Sequence, residues 1–316
     1  MKNSIKFNPF LVHSEKLNAQ FQAAKTSDNP AIYLYKNGAR NIIFMLEGLT
    51  RIHKNAFDNP KMEKWYDRFK ALEDLIGQID YLDTFKTQFE ANKALNKNEI
   101  NALNLKIEPL ILQLNTLLKT DNWLENKLNK FDVFIEHCAF KYDVKYNALI
   151  VKAYQKEIKK IISFATELNG KLKNVETELH ELRRRLRWLS IYPQAFSGLF
   201  QFEKRAENPE WSNKYMTEQI VNSPFNKMPK AVDNQSIIYL NYPNFIALSF
   251  IIQDFGKLKD KGLADELLAT EFKKSEAQIK KLLGDKYLDK TTILSNASQL
   301  LKTFFDDKVL DNLIKK

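Results

Sequence analysis

Apolar residues recur every three to four positions along almost the whole chain, the spacing that puts one apolar stripe on an α-helix. The pattern predicts helices over 10–25, 31–54, 61–90, 97–119, 121–137, 143–169, 173–205, 211–221, 243–255, 258–284 and 290–314. Start signals support several of them. Asp28-Asn29-Pro30 and Asp58-Asn59-Pro60 each set a capping side chain before a proline suited to the first helical position. Asp121-Asn122 does the same ahead of Trp123 without the proline, and Gly170 is placed to end one helix before the next. Segment 222–243 breaks the period. There Pro224, Pro229 and Pro243 alternate with Asn222, Asn226, Asn234 and Asn241, which predicts a long loop with a short strand at 236–240. Lys227 and Lys230 make that loop a candidate flap over an anion site.

Composition sharpens the fold class. The 316 residues hold only 8 glycines and 9 prolines, whereas glycine alone usually makes up about 7%. Few tight turns are on offer, so the expected architecture is all-α, with helices long enough for antiparallel bundles. The length suits two halves, expected at 1–170 and 171–316. No glycine-rich phosphate loop of the GxGxxG or GxxxxGK[ST] type occurs. Cys138 is the single cysteine, which excludes an intrachain disulfide and two-cysteine zinc sites and suggests a reducing compartment. The first 20 residues lack the apolar core of a signal peptide, and Glu47 interrupts the apolar run NIIFMLEGL, so the expectation is a cytoplasmic protein without a membrane span. Lys and Arg number 49 against 39 Asp and Glu, a net charge of +10. That excess points to an anionic partner or, more simply, to a lysine-rich solvated surface.

The most specific segment is Leu179-His180-Glu181-Leu182-Arg183-Arg184-Arg185-Leu186-Arg187-Trp188-Leu189. On a helix His180, Arg183, Arg184 and Arg187 fall at i, i+3, i+4 and i+7 and form one cationic stripe. Leu179, Leu182, Leu186 and Leu189 form the adjacent apolar stripe and should face the core, which leaves the cations at its boundary. Arg185 lies about 140° around from His180 and should point elsewhere. Stacked like charges repel, and an arginine fork binds phosphate oxygens two at a time, so the stripe reads as a phosphate or polyanion site. The plainer reading is a solvated face neutralised by Glu176, Glu178 and Glu181.

His180, Arg183, Arg187 and Tyr192 together resemble the signature of the CHAD family, the conserved-histidine α-helical domains. Ile252-Gln253-Asp254-Phe255-Gly256-Lys257-Leu258-Lys259-Asp260 resembles that family's second signature, a leucine-rich helix running into a glycine and then an aspartate. The family is built from two similar halves. Leu72–Asp83, with Gly77, is the counterpart of the Gly256 segment, and Asn37–Gly48, with Arg40 at the first arginine position, is the counterpart of the His180 helix. Phe44 and Met45 replace later arginines there, and Asp80 and Tyr81 stand where the family has Arg-Asp, so the first half is degenerate.

The resemblance implies two helical bundles related by a pseudo-two-fold axis, with a basic groove between them that binds inorganic polyphosphate without chemistry. With the cationic stripe, the candidate polyanion-binding residues are His180, Arg183, Arg184, Arg187, Tyr192, Arg40, Lys257 and Lys259. Two rival readings remain: a helical interaction or scaffold protein that has lost the ligand, and non-specific nucleic-acid binding by a basic surface. Lys152, Lys156, Lys159, Lys160, Lys171, Lys173, Arg51 and Lys54 could supplement the cations, though each group reads first as a solvated face. His53 has an account in the helix dipole, His13 belongs to no constellation, and His137-Cys138 has no partner at metal spacing. Paired carboxylates such as Asp80 with Asp83, Asp306 with Asp307 and Glu207 with Glu210 sit beside no catalytic motif. No cofactor, metal or enzymatic reaction is expected.

Overall fold

The computed structural model describes residues 7–203, 208–233 and 235–314. Asn234, Glu207 and the end of the helix expected over 173–205 lie outside the described residues. Among the described residues the fold is all-α apart from one two-stranded sheet. The described helices are α1 (Pro9–Lys25), α2 (Pro30–Lys36), α3 (Ala39–Phe57), α4 (Pro60–Ala91), α5 (Lys97–Thr120), α6 (Lys127–Cys138), α7 (Val144–Glu167), α8 (Glu181–Ala195), α9 (Glu218–Val221), α10 (Tyr242–Thr270), α11 (Glu276–Leu283) and α12 (Lys290–Asp306). The chain divides into two compact units, and the boundary falls within α7. The first holds Met1–Ile150 with Ala195–Ser197 and Val232–Ser236, and the second holds Val151–Gln194, Gly198–Ala231 and Ile237–Lys316.

In the first unit, Asn29 and Asn59 cap α2 and α4 ahead of Pro30 and Pro60, as the sequence predicts. The helix expected over 31–54 is broken. Gly38 takes φ +75°, a left-handed conformation that costs glycine little, and the chain restarts there as α3. Asp121-Asn122 also behaves differently from expectation. Asn122 turns left-handed at φ 57° and its carbonyl collects the amides of Glu125, Asn126 and Lys127, so α6 begins four residues after Trp123. The core is aromatic: Phe69 packs against Trp65, Trp123 and Phe131 with ring centroids 5.1–6.1 Å apart.

In the second unit, the single helix expected from 173 to 205 is three elements. Asn174 caps a wide π-helical turn, Val175–His180, which leads into α8. The chain then forms strand β1 (Phe200–Phe202), which pairs in parallel with β2 (Ile238–Leu240) inside the strand expected at 236–240. The segment expected over 211–221 divides into a 3-10 turn, Glu210–Tyr215, and the short α9. Gly256 does not end a helix; α10 runs through it for 29 residues. The 222–243 loop, a candidate flap from its sequence, is hydrogen-bonded within its unit over its first half. Gln194 donates to the carbonyls of Phe225 and Lys227, Gln201 donates to that of Pro229, and Asn226 is buried against Ile220 and Ser249. Those bonds tie the loop down while Lys227 and Lys230 remain exposed.

Candidate anion-binding helix

The rotation of α8 is fixed by its leucines. Leu179, Leu182, Leu186 and Leu189 are all fully buried, as their stripe predicts. With that face inward, Arg184 is exposed while His180, Arg183 and Arg187 are half-buried at the edge of the core. Arg185 points away from the stripe, where its guanidinium lies 4.0 Å over the Phe164 ring and its Nε donates to Glu181 at 2.7 Å.

The π-helical turn places Glu176 one turn before His180. His180 Nδ1 donates to Glu176 at 2.9 Å. That bond, reinforced by the charges of His180, Lys259 and Arg184, holds the Glu176 carboxyl below the usual carboxylate range. His180 thus bonds Glu176 directly, and Arg184 and Lys259 act on it through their charge. Arg184 also reaches Glu181 at 3.5 Å, and Lys259 pairs with Asp260. Lys257 stands exposed and paired with Asp254 at 2.8 Å. Beyond this cluster Lys152, Lys156, Lys159 and Lys160 are exposed along α7, and Lys160 is paired with Glu157.

Three of the nominated residues do other work. Arg183 is spent inside its unit: its Nε donates to the Ile252 carbonyl at 3.1 Å, and its guanidinium lies where a side chain at Gly256 would stand, with a Cβ there 3.0 Å from Nε. Arg40 behaves alike in the other unit. A Cβ at Gly77 would stand 2.6 Å from its Nη2, and it is paired with both Glu73 and Asp80. Tyr192 is fully buried, stacked on Trp188 and edge-on to Tyr154, because its position on α8 falls beyond Leu189 on the core side.

The histidines in the first unit also resolve. His53 is fully buried among Phe10, Phe57, Phe140 and Phe196. Its Nδ1 donates to the Leu49 carbonyl and its Nε2 accepts from the Tyr146 hydroxyl, both at 2.6 Å. Burial drives its pKa down to about 3, so a helix-dipole role for a charged His53 does not apply. His13 donates from Nε2 to the Ala195 carbonyl at 2.8 Å, and burial lowers its pKa to about 4. Sequence reasoning passed over Glu47 as a chemical group. Its carboxyl is buried, and burial together with the charge of Glu73 pushes its pKa up to about 8. The only sequence signal was an acid interrupting an apolar run.

Among the described residues no group of three or more His, Cys, Asp or Glu is placed to hold a metal ion, and no helix is long and apolar enough to cross a membrane. No protein-family model, no curated protein and no solved structure matches this chain.

Proposed function

We propose that this chain is a divergent CHAD-like protein that binds inorganic polyphosphate, or a similar phosphate-rich polyanion, at the cationic cluster of α8 and α10, with no bond made or broken. The observation that carries the reading is the bond of His180 to Glu176 at the start of α8, with Arg184 and Lys259 acting on the same carboxylate through their charge. Glu181 and Asp260 also pair with Arg184 and Lys259, so a polyanion would bind by exchanging these carboxylates for phosphate oxygens, and successive phosphates can span to Arg187 on the next turn of α8. The family part of the reading draws support from a contact met once in each unit, Arg40 on Gly77 and Arg183 on Gly256. These are the positions that the proposed repeat aligns.

Arg40, engaged by Glu73 and Asp80, belongs to the fold and not to the ligand site. Arg183 and Tyr192 likewise act as internal supports. A reducing, cytoplasmic setting goes with this reading, given the single cysteine. A scaffold role is the second reading, favoured by Leu105 and Leu112, which are 67% and 68% exposed one heptad apart on α5.

The test is a calorimetric titration with long-chain polyphosphate at two salt concentrations, with duplex and single-stranded DNA as competitors. Arg184→Gln and Arg187→Gln should each weaken binding by about 1–3 kcal/mol, the scale of charge-assisted hydrogen bonds. Arg185→Gln and Arg40→Gln should do far less. Affinity should fall steeply with salt as counterions are released. Absence of polyphosphate binding at low salt would leave the scaffold reading standing, and preferential binding of DNA would replace the ligand.

A further inference from the structure

A separate basic feature lies wholly within the first unit. Helices α4 and α6 enclose an open concavity of about 430 Å³, within the ordinary size range of small-molecule sites. Lys61, Lys64 and Arg68 enter it at i, i+3 and i+7 of α4, and Lys130 enters from α6. No carboxylate lines it. The acids nearest in sequence are Glu63, which pairs with Lys54, and Asp67, Asp132 and Glu136, none of which is among the lining residues.

The walls are apolar. Val133 and Phe134 line the α6 side, and Val133 is 52% exposed, an uncovered branched side chain beside four cations. Trp65 forms the floor and is almost fully buried, with the Arg68 guanidinium 4.6 Å above its ring. That cation–π contact holds the Arg68 charge over the floor of the concavity. His137 completes the rim, its ring held by the bond from Nδ1 to the Val133 carbonyl.

Two features must be satisfied together. Several cations lie close together and no lining acid offsets them, which favours an anionic group. Apolar walls favour a ligand with a body that covers them. Inorganic phosphate would leave the walls wet, and polyphosphate offers no apolar body. We propose that this concavity binds a small amphipathic anion, a compact apolar body carrying a phosphate monoester. The site shares no residue with the α8 cluster, and the inference does not rest on polyphosphate binding.

The experiment titrates the full chain with 1-naphthyl phosphate, with inorganic phosphate and with uncharged 1-naphthol. Naphthyl phosphate should bind at least tenfold more tightly than either fragment. Lys64→Gln with Arg68→Gln should weaken it tenfold or more, and Val133→Asp should remove the advantage over inorganic phosphate. Arg184→Gln with Arg187→Gln should leave it unchanged. A second measurement needs no variant: in the wild-type chain, naphthyl phosphate should slow acetylation of Lys64 and Lys130 and leave that of Lys152 unchanged. The proposal is overturned if naphthyl phosphate binds no better than inorganic phosphate, if the ligand protects neither Lys64 nor Lys130, or if the α8 substitutions abolish its binding.

Discussion

Replacing Glu47 with Gln should stabilise the first unit, and by more as the pH rises. Glu47 sits on α3 with 2% of its surface exposed, and its Oε2 has no hydrogen-bond partner. Burial first, and then the charges of Glu73 and Asp74, raise its pKa from 4.5 to about 8, against the opposing pull of Lys70 and Arg51. In the unfolded chain the same carboxyl ionises near 4.5. Above that pH the unfolded state has shed a proton that the folded state still holds, so stability falls as pH rises until the folded carboxyl ionises near 8. Each pH unit in that window costs about 1.4 kcal/mol, so the loss is about 3 kcal/mol at pH 6.5 and at most about 5 at pH 8. Glutamine keeps the shape and cannot ionise. The gain of Glu47→Gln over wild type should thus be small at pH 5, about 3 kcal/mol at pH 6.5 and larger at pH 8. Hydrogen exchange of peptides from α3 and α4, taken as the ratio of variant to wild type at each pH, measures it while cancelling the intrinsic pH dependence of exchange. A gain that stays constant from pH 5 to 8 would refute the buried-carboxyl argument.

Other outcomes follow from the same contacts. His13 and His53 stay neutral in the fold, with pKa values lowered to about 4 and about 3. Their contribution is complete above pH 6.5 and is lost on acidification through the window down to those values, by about 1.4 kcal/mol per unit for each histidine; a denaturation midpoint that did not fall between pH 6.5 and 5 in the Glu47→Gln background would contradict this. Glu176→Gln removes the acid that occupies the cationic cluster, so polyphosphate affinity should rise several-fold in calorimetry, whereas a loss would show that Glu176 orients His180 for the ligand. Arg183→Gln should cost about 1–3 kcal/mol of stability through the Ile252 carbonyl and leave affinity nearly unchanged, a pairing read by thermal denaturation alongside the titration. Gly262→Ala should destabilise by about 1–2 kcal/mol despite its better helix propensity, because the new methyl would stand 2.9 Å from Val175 Cγ1 in the π-helical turn; Gly77→Ala should also destabilise, because its methyl would stand 2.6 Å from Arg40 Nη2 and displace a guanidinium that Glu73 and Asp80 hold.

The glycines show where sequence reasoning reaches and where it stops. Helix class, the capping of α2 and α4 and the inward leucines of α8 were legible because each depends on residues a few positions apart. The apolar pattern predicts a break between 255 and 258, around Gly256. Gly256 sits mid-helix instead, and the cause lies 73 positions away by residue number, in the guanidinium of Arg183 that fills the missing side chain's place. Gly262 has the same character, with Val175 as the distant neighbour. Such a glycine is set by what crosses over it, and no window along the chain contains that partner. The nominated cations divide for the same reason. Periodicity placed His180, Arg183, Arg184 and Arg187 on one face, but only the crossing of α10 separates Arg183, pinned on Ile252, from Arg184, left exposed beside Glu176. Charge pattern along a helix therefore locates a candidate binding face, and the helix packed beside it decides which of those charges a ligand can meet.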